Sequence, residues 1–300
     1  MSRPVDSHRD DSRRPDSDGR SPVDNAQLAL LLEVAGTPKP GNVDRHRELG
    51  DLRFEHFLAG AVGARSGLQQ AADGDTVGAA FEQAVDGMST QQGGNTQFGC
   101  LLLLVPLVTA AASGSLTSAS VQSVVESTTV DDAVGFYRAF EHVDVAVGDL
   151  PSEADELDVR RGSDAADALR RQSLTLYDIM VLSADPDDRI GDGNAREWIS
   201  GFERTFRAAD ALLADEGPVG ERTARVFLDL LAEEPDTLVA TNHDEATARE
   251  VSERAAAVDG DLAAAERLAD EFVEEGYNPG TTADITAAAL FIALERGLDV

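Results

Sequence analysis

Three stretches of this chain, beginning near Asn95, near Leu174 and near Thr282, are apolar almost all the way round a helical wheel. A helix with one wet face carries a single apolar stripe, so helices apolar on every side need other helices around them. Strand signals do not compete: Val, Ile, Tyr and Thr do not gather in alternating runs, and aromatic residues make up only 5% of the chain. No hairpin dipeptide has strand-like flanks. The expected fold class is all-α, a single multi-helix globular domain with buried central helices, and the lack of a repeat of ~20 to 50 residues disfavours a solenoid.

Residues 1–23 are Ser, Asp, Arg and Pro with Val5 as the only large aliphatic residue before Pro22. They cannot bury enough surface to offset ordering entropy, and they read as a disordered polar tail ahead of a domain over 24–300. Asp24 is the expected N-cap of the first helix, with Leu28, Leu31, Leu32 and Ala35 on one face and Gly36 as its stop. Further helices are expected over 54–72, 76–88, 95–112, 118–127, 131–147, 164–184, 195–214, 219–232, 245–258, 262–275 and 282–296.

Charge and composition limit the partners. Lys and Arg total 25 against 56 Asp and Glu, a net charge of −31. Nucleic-acid backbones are bound by clustered Lys and Arg; no such cluster is present, so nucleic acid is excluded. Acidity of this kind fits a cytoplasmic protein kept soluble in concentrated salt, where screening shortens charge repulsion to about 3 Å at 1 M. The longest apolar stretch, 101–112, contains Pro106 and is shorter than the ~20 residues that span a bilayer. No membrane partner and no secretory signal are expected. The single cysteine, Cys100, allows no disulfide framework and reads as a small buried hydrophobe. Self-association into homo-oligomers stays open.

Lys39 is the only lysine beside 24 arginines, and it sits in Thr37-Pro38-Lys39-Pro40-Gly41-Asn42-Val43-Asp44. A compact, rotatable ammonium suits a phosphate oxygen in a way that a planar guanidinium does not, and the flanking prolines restrict the loop that carries it. This run is not a phosphate loop of the Walker kind, since Asn42 and Val43 follow Gly41 where Lys and Ser or Thr are required. The acidic run 185–193 fails as a calcium loop because Ile190 holds the place of the turn glycine. The five histidines show no zinc spacing.

Three further segments put polar residues at helix entrances or inside apolar helices. Gln92-Gly93-Gly94-Asn95-Thr96-Gln97-Phe98-Gly99 leads into four consecutive leucines, and its helix start offers free N–H groups to a phosphate, although Asn95 serves equally as an ordinary N-cap. Asp178 lies among apolar neighbours on a face shared with Asp185 and needs a partner, a proton or a metal. Asn278-Pro279-Gly280-Thr281-Thr282-Ala283-Asp284 opens the last helix, and Asn194 and Glu197 form an N-x-x-E pattern before Trp198.

Glu33 with the Thr37 to Asp44 run, Gly94-Asn95-Thr96 with Gly99, and Asn278-Pro279-Gly280 with Ala283-Asp284 resemble, in order and approximate spacing, the triphosphoribosyl-dephospho-coenzyme A synthase family. The resemblance extends from about residue 25 to the C-terminus. It implies an all-helical transferase in which the 2′-hydroxyl of dephospho-CoA attacks C1′ of the ATP ribose, expelling adenine and keeping the triphosphate. It further implies Mg2+, with ATP and dephospho-CoA as small-molecule substrates. By the same resemblance Lys39, Gly41, Asn42, Asn95, Thr96 and Gly280 hold the nucleotide, and Asp44, Asp178 and Asp284 serve metal binding or base chemistry. His46 is then a proton donor. The chain departs from the bacterial pattern where Gln97 and Phe98 replace basic residues, and again at Asn242-His243-Asp244, where the family often carries Arg or Lys. The residues alone leave three alternatives open. They are a Mg2+-dependent nucleotide or N-glycoside hydrolase, a related ribosyl transferase with another acceptor, and a non-catalytic helical nucleotide-binding module.

Overall fold

The computed structural model describes residues 19–148, 152–184 and 190–300. The first eighteen residues of the expected tail, and Asp185 with the acidic run to residue 189, lie outside the described residues. Ser21, not Asp24, caps α1 (Pro22–Ala35). The Ser21 hydroxyl accepts from the Asp24 N–H at 3.2 Å while the Asp24 carboxylate accepts from the Ser21 N–H at 3.1 Å, which satisfies two end donors reciprocally. Pro22 takes the first helical position, where an N–H would have no partner within the helix.

The chain continues through α2 (Phe54–Gly63), α3 (Arg65–Asp73), α4 (Val77–Met88), α5 (Phe98–Ala112), α6 (Ser118–Glu126) and α7 (Val130–Ala139). Two 3-10 turns (Ser152–Leu157 and Val159–Ala165) lead to α8 (Ala166–Gln172), α9 (Leu176–Ala184), α10 (Gly193–Ile199), α11 (Glu203–Ala214) and α12 (Val219–Glu233). Then come α13 (Thr237–Asn242), α14 (Glu245–Ala256), α15 (Leu262–Glu275) and α16 (Gly280–Glu295). Among the described residues there is no strand, only the isolated bridges Asp44 to Arg47 and Leu49 to Leu52. The fold is all-α, as expected.

Several expected helices are shorter than their apolar periodicity. The helix over 54–72 divides at Ala64, beside Gly63, whose backbone crosses that of Gly87 so closely that a Cβ on either glycine would stand 2.1 Å from the other's carbonyl oxygen. The helices over 164–184 and 195–214 divide at Ser173 (φ 56°) and Phe202 (φ 63°). Phe202 is fully buried, and with Gly201 (φ 68°) before it the chain passes through two left-handed residues in succession, a conformation that an aromatic residue rarely adopts. The helix expected over 131–147 stops at Ala139, and α13 has no counterpart among the expected helices.

α5 and α16 pack on each other at the centre, with α1, α3 and α11 around them. α16 buries thirteen of its sixteen residues. The third all-round apolar stretch behaves differently: α9 packs on α10 and α7, but Val181 and Leu182 on its outer side are 45% and 56% exposed. Pro106, inside α5, has no N–H for the Leu102 carbonyl, and the Trp198 indole of α10 donates to that carbonyl at 3.2 Å. The buried oxygen stays satisfied and α10 is pinned against α5. A second apolar core joins α12 to α15, and a small one of Val34, Val43 and Phe57 anchors the loop after α1. Among the described residues no helix is long and apolar enough to cross a membrane.

Candidate active site

Two motifs far apart in sequence close on each other at Gly41. Its φ is 77°, and a Cβ there would lie 2.6 Å from the Tyr277 carbonyl oxygen and 2.9 Å from Pro279 Cδ. Only glycine permits both the left-handed turn and this approach. The Asn42 amide then donates to the Asn278 side-chain oxygen at 3.0 Å, which joins the loop after α1 to the start of α16.

Lys39 lies inside this junction, fully buried, with its ammonium on the Glu33 carboxylate of α1 and, at 2.9 Å, on the Asn42 side-chain oxygen. The Phe227 ring centroid is 5.9 Å away. Burial raises the Glu33 carboxyl above its usual range and the Lys39 charge opposes that rise. Asp44 is buried and accepts from the Thr37 hydroxyl at 2.8 Å, the Lys39 N–H at 3.2 Å, the His46 N–H at 2.8 Å and the Arg47 guanidinium at 3.2 Å. Its carboxylate thus ties the loop together. His46 is exposed.

The centre of the site is Asp284, in the first turns of α16. One of its oxygens accepts from the Asn194 amide of α10 at 2.8 Å and the other from the Cys100 thiol of α5 at 3.1 Å. The carboxylate lies against the backbone of Gly99, where a Cβ would stand 1.9 Å from Oδ2. Deep placement pushes the Asp284 carboxyl up to about 7, against the two donors, with Asp236 and Glu33 adding to the rise. It nevertheless keeps part of its surface accessible. Burial, with Asp284 beside it, also raises the Cys100 thiol well above its ordinary value, so the thiol remains a protonated donor. Cys100 is buried as expected, yet its sulfur faces a carboxylate.

Around this centre other polar groups secure helix ends. Asp236 caps α13 and accepts from the Thr282 N–H and hydroxyl, both at 2.7 Å, which fixes the start of α16. Glu197 accepts from the Thr205 N–H at 3.0 Å and hydroxyl at 2.7 Å, holding α10 to α11. The Asn95 side-chain oxygen accepts from the Phe98 N–H at 3.1 Å from two residues ahead of the cap position of α5, which Gln97 holds, while the neighbouring Thr96 hydroxyl is buried without a partner. Gly280 packs under Leu238, where a Cβ would meet the side chain at 2.5 Å.

Asp178 is half-buried and accepts from the Thr175 N–H at 2.9 Å and hydroxyl at 2.8 Å, an N-terminal capping arrangement on α9. The structure therefore gathers Lys39, Gly41, Asn42, Asp44 and Gly280 about one junction. Asp284 stands beside it, whereas the Asp178 carboxylate bonds within its own helix start. Among the described residues no three His, Cys, Asp or Glu side chains are placed to hold a metal ion. Glu33, Cys100, Asn194 and Asp236 complete the constellation; of these, sequence patterns marked Glu33 and Asn194, while a buried cysteine and a short-helix cap carry no functional signal of their own.

The family model described as ATP:dephospho-CoA triphosphoribosyl transferase (CitG) matches residues 20–299. The chain belongs to this family. It is an enzyme that transfers the triphosphoribosyl group of ATP to dephospho-CoA. A crystal structure from Archaeoglobus fulgidus, provisionally described as a triphosphoribosyl-dephospho-CoA synthase, has the same fold, with a TM-score of 0.64 and 24% identity. The match covers 81% of this chain and 100% of the other. No curated protein matches at a significant level.

Proposed function

We propose that the acceptor hydroxyl of dephospho-CoA meets the ATP ribose at Asp284, with Asp284 as general base. The observation that carries this assignment is the Asp284 carboxylate, raised to about 7 and held in one orientation by Asn194 and Cys100, in a residue that is not fully buried. A base works best when its pKa lies near the operating pH, and such a group typically contributes about 10²–10⁴ in rate. Asp284 takes the proton of the 2′-hydroxyl, the freed oxygen bonds to C1′, and the C1′ to N9 bond breaks with its electrons leaving on adenine, which takes up a proton from water. The 5′ triphosphate stays attached throughout.

Glu33 and Asp236 flank the centre and make it rich in negative charge. Magnesium is accordingly assigned to the substrate, arriving as the counter-ion of the ATP triphosphate and not in a cage of protein carboxylates. Lys39 is assigned to holding Glu33 and Asn42 in place at the junction of the loop after α1 with the α16 start. The acidic composition supports work in a salt-rich cytoplasm.

Purified protein in concentrated KCl with Mg2+ and ATP, with and without dephospho-CoA, tests the assignment by chromatography of free adenine. Adenine is expected only with the acceptor. Asp284→Asn is expected to lower turnover by about 10²-fold or more; undiminished turnover would overturn the role of Asp284, and adenine release without acceptor would make the activity hydrolytic.

A further inference from the structure

We infer that Asn194 touches the ATP ribose: its side-chain oxygen accepts from the ribose hydroxyl on the carbon next to C1′, and so selects a ribonucleotide over a deoxyribonucleotide. This rests on the function proposed for Asp284. Asn194 lies at the start of α10, 6% exposed, in a turn that the Asp192 carboxylate caps. Its Nδ2 donates to Asp284 Oδ2 at 2.8 Å. That bond decides which end of the amide meets the carboxylate, because a carboxylate accepts and only the NH2 end can donate. Oδ1 is left on the other side of the same amide, buried and without a partner.

Three observations carry the inference. First, unmet polarity gathers at this place. Among the described residues six buried side-chain nitrogen and oxygen atoms lack a partner, and four of them belong to Thr96, Gln97 and Asn194. Thr96 and Gln97 lead into α5, and the Asn194 amide lies against Gly99 in the first turn of that helix. A buried acceptor without a donor is costly, and folded proteins keep such atoms where a ligand or an ordered water completes them. Second, Oδ1 is a neutral acceptor. It has nothing to offer phosphate oxygens, which are acceptors themselves, and calls for an O–H or N–H. Third, it stands one amide away from the base. The acceptor hydroxyl gives its only proton to Asp284, and neither the ribose ring oxygen nor N9 of adenine carries one. Of the groups around C1′, the hydroxyl on the neighbouring ribose carbon is the one with a donor to give.

Thr96, Gly99 and Asp284 are each partly accessible, and the sugar approaches from their side. Oδ1 itself is closed to solvent, so its contact is made as the site opens to admit the sugar. As the C1′ to N9 bond breaks, C1′ gains positive charge and the hydroxyl beside it becomes a stronger donor. A hydrogen bond to that hydroxyl therefore tightens in the transition state, as it does in glycoside cleavage. No proton is transferred to Asn194. One end of its amide orients the base and the other holds the sugar, which fixes Asp284 relative to C1′.

Paired substrates test this. ATP and 2′-deoxy-ATP are compared by kcat/KM for adenine release, with Mg2+ and dephospho-CoA in concentrated KCl, in the parent and in Asn194→Ala. The two sugars differ in intrinsic reactivity, but that difference is common to both proteins and cancels when their preferences are compared. The preference for ATP is expected to fall about tenfold or more in Asn194→Ala. If Asn194 serves only to orient Asp284, both substrates lose equally; an unchanged preference therefore overturns the contact while leaving Asp284 as base. Should circular dichroism show that Asn194→Ala does not fold, Asn194→Ser, which keeps a small hydrogen-bonding group, is read by the same comparison. Full turnover in Asp284→Asn together with a lost preference in the Asn194 variant would remove the base and keep the contact. If the parent releases no adenine, calorimetry of the two nucleotides decides: the parent is expected to bind ATP more tightly than 2′-deoxy-ATP and the variant to bind them alike, and equal affinities in the parent overturn the contact.

Discussion

Asp284 links protonation, activity and stability at one carboxyl. Its ordinary value is 3.8 and in the folded protein it lies at about 7, so between these values the folded state holds a proton that the unfolded chain has released. Stability contributed by this group is therefore greatest below the lower value and falls as pH rises to about 7, above which the loss is complete. Asp284→Asn is expected to be more stable than the parent at pH 8 by roughly 1–3 kcal/mol while being inactive, a trade common where a site stores unfavourable charge. Melting temperatures across pH check it: parallel curves for the two proteins would mean that the carboxyl is not perturbed. The activity limb runs the other way, rising as Asp284 deprotonates. Removing the thiol donor in Cys100→Ala favours the neutral acid and is expected to move the rise to higher pH, and Cys100→Ser, which restores a donor, to return it. At this scale the sequence made Lys39 and Asp284 visible because their residue types conflict with their surroundings. It could not show that Lys39 faces Glu33 instead of solvent, since a loop lysine and a buried one are written alike.

Helix starts are the working parts of this fold. The α5, α10 and α16 starts meet because small residues let them: Gly99 admits the Asp284 carboxylate and Gly41 admits the 277–279 backbone. Gly99→Ala would force Asp284 away from Asn194 and Cys100, and the expected result is a loss of turnover of about 10²-fold with the fold retained, read by circular dichroism beside the adenine assay. Full turnover in that variant would show that the carboxylate has another productive position. Glycine, asparagine and proline mark these starts in the sequence, which is why the motifs sat at element boundaries. The break at Ser173 was not legible, because no glycine marks it, whereas the break at Phe202 follows Gly201 (φ 68°), a glycine that the apolar periodicity on either side outweighed. The pairing of Asn42 with Asn278, across 236 positions, is likewise a product of packing that no local pattern encodes.

The whole molecule carries a charge of −31, and its arginines are largely committed to acids on the surface, as in Arg254 with Glu275 at 2.6 Å and Glu271 at 2.9 Å. Salt acts on this surface in two opposed ways. It weakens each exposed ion pair, worth about 0–1 kcal/mol, and it relieves repulsion among the carboxylates that have no cation. With 56 acidic groups against 25 basic ones, repulsion outnumbers pairing, so the second effect wins and the fold is expected to gain stability with KCl. Most of the gain should arrive below about 1 M, where the screening length has fallen to ~3 Å and little repulsion is left to remove. The buried set of Glu33, Lys39 and Asp44 lies away from solvent and is screened least, so the site itself is expected to keep its geometry as the surface is titrated. Melting followed from 0.1 M to 2 M KCl at fixed pH measures this, and a melting temperature that falls with salt would show that the surface ion pairs, not the excess acids, control stability.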